Sequence, residues 1–143
     1  SNRHQIERAI NMVERTNCYR IGVLGLSFKP STDDVRESPT IALVETLVGR
    51  GYQVFVYDEI VNPNQLIGAN RAFLERQIPH IASLMQSSLE EVVHKAEVIV
   101  IANDSPGFMR LSKILNSNQI LIDLTGILKN EENLKGEYDG IGW

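Results

Sequence analysis

Four short, almost wholly apolar runs set the fold of this chain. They are Ile21-Gly22-Val23-Leu24-Gly25-Leu26, Gln53–Tyr57, Val98–Ala102 and Ile120–Leu124. Between them lie segments whose apolar residues recur at helical spacing. Continuous apolar strands, not alternating ones, belong to a sheet covered on both faces, and such sheets are mostly parallel. Strands alternating with amphipathic helices then predict an α/β, Rossmann-like doubly wound domain with helices on both faces. At 143 residues there is length for one domain and little more.

The helical segments are punctuated in the expected way. Ile6, Ile10 and Val13 give residues 1–16 an apolar stripe, so a leading helix stands ahead of the first strand. Ser38 is a good N-cap, Pro39 suits the first helical position, and Gly49 and Gly51 end that helix. Asn64–Arg76 is expected to be helical, with Gly68 against it. Ile78–Gln86 is ambiguous. Ser88 caps a helix over Leu89–Ala96, with Leu89, Val92, Val93 and Ala96 inward. Gly107–Leu115 is another helix, and the remaining tail is polar as far as Tyr138.

Ligands of an open α/β sheet sit beyond the carboxyl ends of its strands. The candidates there are the loop over residues 27–38, Asp58, Asn103-Asp104 and Asp123–Gly126. Gly22 and Gly25 are read as lying inside the first strand, where they permit close helix–sheet packing. No glycine follows in the loop, so neither a dinucleotide fingerprint nor a P-loop is present. Any phosphate contact must come from side chains. Lys29 offers a mobile point charge and Arg36 a two-pronged donor. Both could instead pair with Asp33, Asp34 and Glu37. Asp33-Asp34 could ligate Mg²⁺, though an Asx turn is the simpler reading. Asp58 ends the second strand, where a dinucleotide-binding domain holds a ribose hydroxyl; without the glycine fingerprint a turn or cap role is favoured. Cys18 has no histidine near it in sequence, and His4, His80 and His94 lack ligand spacing.

The formal charge of -4 argues against nonspecific nucleic-acid binding. No apolar run approaches the ~20 residues of a membrane helix, and the lone cysteine forbids an internal disulfide, so a cytoplasmic setting is the default.

The runs Gly22-Val23-Leu24-Gly25-Leu26-Ser27-Phe28-Lys29 and Thr32-Asp33-Asp34-Val35-Arg36-Glu37-Ser38-Pro39 carry a resemblance, joined by Val56-Tyr57-Asp58, Gly68-Ala69-Asn70, Ile78-Pro79-His80 and Ile122-Asp123-Leu124. The chain resembles the C-terminal domain of the UDP-glucose and GDP-mannose 6-dehydrogenases. The Gly-Ala-Asn, Ile-Pro-His and closing Gly-Ile-Gly-Trp segments are most similar to the GDP-mannose branch. That family oxidises a sugar C6 alcohol to a carboxylate in two NAD-dependent steps, through a cysteine-bound thiohemiacetal and thioester.

The resemblance implies that Lys29 and Phe28 bind the sugar nucleotide and that Arg36 reaches NAD. It implies that residues 1–19 end an interdomain connector and residues 20–143 form the sugar-nucleotide-binding domain. The NAD fingerprint and the catalytic cysteine motif lie upstream in the family. The chain is therefore read as an excised domain, inactive without its N-terminal and central domains, whose full-length form is a homodimer converting GDP-mannose to GDP-mannuronate. A UDP-glucose or other UDP-sugar dehydrogenase domain is the near alternative, and a free-standing nucleotide-binding module the distant one.

Overall fold

The computed structural model describes residues 2–27, 38–61 and 68–140, the side chains of Asn2 and residues 68–70 excepted. The leading helix α1 spans Asn2–Thr16. Asn17 then takes a left-handed conformation, which asparagine tolerates better than most residues, and turns the chain into strand β1, Arg20–Leu24. Helix α2 covers Pro39–Gly49, with the Ser38 hydroxyl accepting from the Thr40 amide and Pro39 in its first turn. Strand β2 is Gln53–Tyr57.

Helix α3 spans Gly68–Gln77, so the earlier part of the helix expected from Asn64 lies outside the described residues. The ambiguous stretch after it resolves into a single turn, α4, at Ile81–Leu84. The chain then lays Met85 against β2 in a bridge to Val56. Helix α5, Leu89–Lys95, is capped by the Ser88 hydroxyl, which accepts from the Glu91 amide. After β3, Val98–Ile101, the expected helix over Gly107–Leu115 divides into a 3₁₀ turn, Pro106–Arg110, and a short α6, Leu111–Ile114. Strand β4 is Ile120–Asp123.

A fifth strand, β5 at Glu137–Gly140, was not expected from the sequence. It pairs with β4 on one side only, and of its residues just Tyr138 packs toward the core. An edge strand with so little to bury needs no apolar run, so its composition gave no signal.

All pairings are parallel, in the order β2-β1-β3-β4-β5. Side chains alternate across the sheet. Ile21, Val23, Val54, Val56, Val98, Val100 and Ile122 join α1, α2 and α3 on one face. Leu24, Ile99, Ile101 and Leu121 join α5, Phe108 and α6 on the other. The doubly wound expectation therefore holds. Burial of Leu89, Val92 and Val93 on α5 contributes about 1.5–3 kcal/mol for each fully buried side chain.

Gly22 sets how closely α5 approaches. A Cβ placed there would lie 2.4 Å from Val92 Cγ1 and 3.2 Å from Ala96 Cβ. The packing role expected of Gly22 is thus confirmed. Gly25 is different, and the expectation that it lies inside β1 is corrected. The strand ends at Leu24, and Gly25 turns out of it at a φ of 98°. Its close neighbour is the side chain of Asn103, 2.4 Å from where a Cβ would stand, and not a helix.

Candidate functional site

The chain winds from β1 outward to β2, then returns past β1 to start β3 on its other side. The elements that follow β1 and β3 therefore lie on opposite faces of the sheet, α2 on one and Pro106–Arg110 on the other, which makes the carboxyl ends of these two strands a topological switch point. In doubly wound sheets this switch point is where ligands bind. The 27–38 loop singled out from the sequence starts here. Phe28, Lys29 and Arg36, with Asp33, Asp34 and Glu37, lie outside the described residues. What the structure does describe is the frame that holds both ends of that segment.

The upstream end is held by Asp58. Its carboxylate is buried at the end of β2 and accepts four backbone N–H bonds. Oδ2 takes Leu26 N at 2.6 Å and Ser27 N at 3.3 Å. Oδ1 takes Ile60 N at 2.8 Å and Val61 N at 2.9 Å. The two latter bonds are the Asx-type turn expected of Asp58. The two former ones cross to another strand, which no sequence rule anticipated. A carboxylate has about four acceptor positions, and all are in use. Asp58 has none left for a ribose hydroxyl.

Asn103, at the end of β3, holds the same stem from the other neighbour of β1. Its Nδ2 donates to the Ser27 carbonyl at 3.3 Å, while its Oδ1 accepts from Ser105 N at 3.2 Å and Ser105 Oγ at 2.9 Å. The Asn-Asp-Ser-Pro run was a readable Asx-turn signal, but its long-range bond to Ser27 was not. The downstream end of the segment is Ser38, a buried residue that caps α2.

Asp123 ends β4 in a comparable way. It is fully buried and accepts from Thr125 N, Thr125 Oγ1, Gly126 N, Leu128 N and the Tyr138 hydroxyl, all at 2.9–3.1 Å. Burial, reinforced by the bond to Asp123, raises the Tyr138 pKa above its ordinary value.

Cys18 lies at the opposite, amino-terminal end of the sheet. It lines a cavity of about 550 Å³ shared with Arg20, His94, Glu97 and Lys135. Its thiol donates to the Thr16 carbonyl at 3.5 Å. The cavity is remote from the switch point and has no part in the site described above.

Topology and strand pairing together define a doubly wound, Rossmann-like α/β domain. Residues 22–130 match the UDP-glucose/GDP-mannose dehydrogenase family, UDP binding domain, and the chain belongs to that family. The GDP-mannose 6-dehydrogenases of Pseudomonas putida and Pseudomonas aeruginosa are 37% and 38% identical to it over all 143 residues. A UDP-glucose 6-dehydrogenase of Rickettsia conorii is 33% identical over 115 residues, covering 78% of this chain and 24% of that protein. Among solved structures, a ternary complex of GDP-mannose dehydrogenase from Pseudomonas aeruginosa superposes with a TM-score of 0.81 at 36% identity, over 94% of this chain and 31% of that one. The chain spans about a third of the length of the curated GDP-mannose relatives it matches.

Proposed function

We propose that this chain is the C-terminal, sugar-nucleotide-binding domain of an NAD-dependent GDP-mannose 6-dehydrogenase that forms GDP-mannuronate. The observation that carries this reading is the unbroken match to GDP-mannose 6-dehydrogenases along the whole chain, against a shorter match to a UDP-glucose enzyme. In this reading Lys29 and Phe28 contact the sugar nucleotide and Arg36 reaches NAD. A lysine and an arginine in one loop suit the two phosphorylated compounds the reaction must hold together.

The residues at the strand ends do not fit a dinucleotide site of their own. The glycine fingerprint is absent from the sequence, and Asp58 is saturated by backbone amides. NAD, which accepts hydride when bound, would be held mainly by an N-terminal domain. The chain alone is therefore expected to be inactive, since hydride transfer needs the acceptor placed against the sugar carbon. The whole protein is proposed to be a cytoplasmic homodimer.

The test is kinetic and uses the full-length protein. NADH should form with GDP-mannose and not with the 143-residue chain alone. Lys29→Ala should raise KM for the sugar nucleotide about tenfold or more, the loss of one charge-assisted contact. Arg36→Ala should raise KM for NAD. Turnover of UDP-glucose in place of GDP-mannose would move the assignment to the UDP-sugar branch, which the family also contains. A Lys29→Ala enzyme with unaltered kinetics would overturn it.

A further inference from the structure

We propose that the cavity at the amino-terminal end of the sheet binds a small organic phosphate. The cavity is remote from the carboxyl ends of the strands, so the inference stands apart from the function proposed above.

The cavity is built by the entries to four neighbouring strands. Cys18 and Arg20 come from the entry to β1, Glu97 from that of β3, residues 116–119 from that of β4 and Lys135 from that of β5. The end of α5 adds Val93, His94 and Ala96. Its place is fixed by the sheet itself. A Cβ on Gly136 would stand 2.6 Å from the Gln119 carbonyl oxygen, so the backbone after Lys135 passes hard against the turn before β4. The volume, about 550 Å³, is that of a small-molecule site.

Its charges are not consumed by the protein. With His94 neutral the lining carries two positive groups, Arg20 and Lys135, against one negative, Glu97, in a chain whose net charge is -4. Glu97 is already engaged: one oxygen accepts from the amides of Tyr19 and Arg20, both at 3.0 Å. The carbonyls that end α5 are covered as well. Gln119 Nε2 donates to those of Val93 and Ala96, and Arg20 Nε to that of Lys95 at 3.0 Å. Glu90, one turn before His94 on α5, pairs with Arg110. Neither His94 nor Lys135 has an ion-pair or side-chain hydrogen-bond partner among the described residues, and the amides of Ser117 and Asn118 at the tip of their turn have none either.

The cavity therefore gathers a guanidinium fixed at its Nε, an ammonium, an imidazole and two backbone amides, with one occupied carboxylate among them. A phosphate group is the ligand chemistry that such donors recognise, the arginine through paired N–H groups and the lysine as a point charge. The cavity is larger than a bare phosphate needs. Buried Val93 and Ala96, with half-buried Cys18, give it an apolar wall against which the carbon skeleton of an organic phosphate packs.

Cys18 supplies a local readout that ligands bound elsewhere do not touch. In the full-length protein, the rate at which iodoacetamide alkylates Cys18 is followed by peptide mass. Glucose 1-phosphate should slow it, and inorganic phosphate should need about tenfold higher concentration for the same protection, because it lacks the carbons that meet the apolar wall. Lys135→Gln and Arg20→Gln should each raise the protecting concentration about tenfold, the loss of one charge-assisted contact. Arg71→Gln, an exposed charge on α3 paired with Glu75, is the control and should leave it unaltered.

If glucose 1-phosphate leaves the Cys18 rate unaltered, the proposal is overturned. Protection that survives Lys135→Gln, or that Arg71→Gln weakens equally, overturns it too, since the ligand then acts from another place or through general charge. Equal protection by inorganic phosphate overturns the organic part of the assignment. Lys135 is exposed and without a partner, so its variant folds and keeps the test decisive even where Arg20→Gln does not.

Discussion

Asp58 and Asp123 occupy the same place on two strands, yet they do different work. Each ends a parallel strand, each is buried, and each accepts from backbone amides of the turn that follows. Asp123 looks after its own neighbourhood: its partners are residues 125–128 and Tyr138 on the adjoining strand. Asp58 spends half its acceptors on a loop 31–32 residues back in the chain. One aspartate closes a turn. The other joins the turn after β2 to the stem that leaves the neighbouring strand β1. A strand-end carboxylate is therefore defined by where its neighbours' amides point, and not by its own position.

The sharpest way to break this comparison is to remove each carboxylate in turn. Asp58→Ala strands the amides of Leu26, Ser27 and Val61 in buried surroundings and is expected to cost about 3–4 kcal/mol. Asp123→Ala should cost less, about 2–3 kcal/mol, because the amides of Thr125 and Gly126 are only partly buried and can find water. Urea unfolding of the two variants measures the difference; equal or reversed losses would erase the distinction.

Next in size is Gly22→Ala, which forces a methyl into the fully buried Val92 and should cost about 2 kcal/mol by overpacking. A matching loss is expected at Gly25→Ala, through its left-handed turn and the Asn103 side chain against it, and thermal unfolding of the two variants compares them.

Tyr138→Phe sharpens the Asp123 side. Losing one hydrogen bond should cost about 1 kcal/mol at neutral pH. The folded protein holds the phenol's proton above its ordinary pKa of 10.0, chiefly through burial. The stability so gained is complete below pH 10 and is lost as pH rises beyond it, when the unfolded chain ionises first. Alkaline unfolding should therefore be steeper in the parent than in Tyr138→Phe.

The smallest effect belongs to Glu97 at the far end of the sheet. Its carboxylate accepts from the Arg20 and Tyr19 amides, and these bonds hold its pKa below the ordinary value. That contribution is present above about pH 4.5 and disappears as pH falls through the lower folded value. The melting temperatures of parent and Glu97→Ala should converge on acidification.

How much of this was legible follows from how far each residue reaches. Four strands and the capped helices came from local pattern, since Ser38, Ser88 and the apolar runs act within a few residues of themselves. The turn half of Asp58 was readable for the same reason. Its other half was not, because nothing near residue 58 says that Leu26 lies beside it. Gly25 was misplaced inside a strand because a glycine between two leucines looks the same whether it packs or turns. Strand β5 escaped because Glu137-Tyr138-Asp139-Gly140 has almost nothing to bury. Phe28, Lys29 and Arg36 rest on the family resemblance, since the charges around them balanced too evenly for composition to decide.

That polar β5 has a bearing on how the molecule behaves in company. A parallel sheet with two open margins would invite further chains to add themselves by backbone pairing. One margin, along β2, is sheltered where Gln86 bonds to the Val56 carbonyl. The other presents Glu137 and Asp139, carboxylates that repel a like-charged copy approaching in register. Among the described residues the five-stranded sheet is thus bounded by shelter on one flank and by like charge on the other.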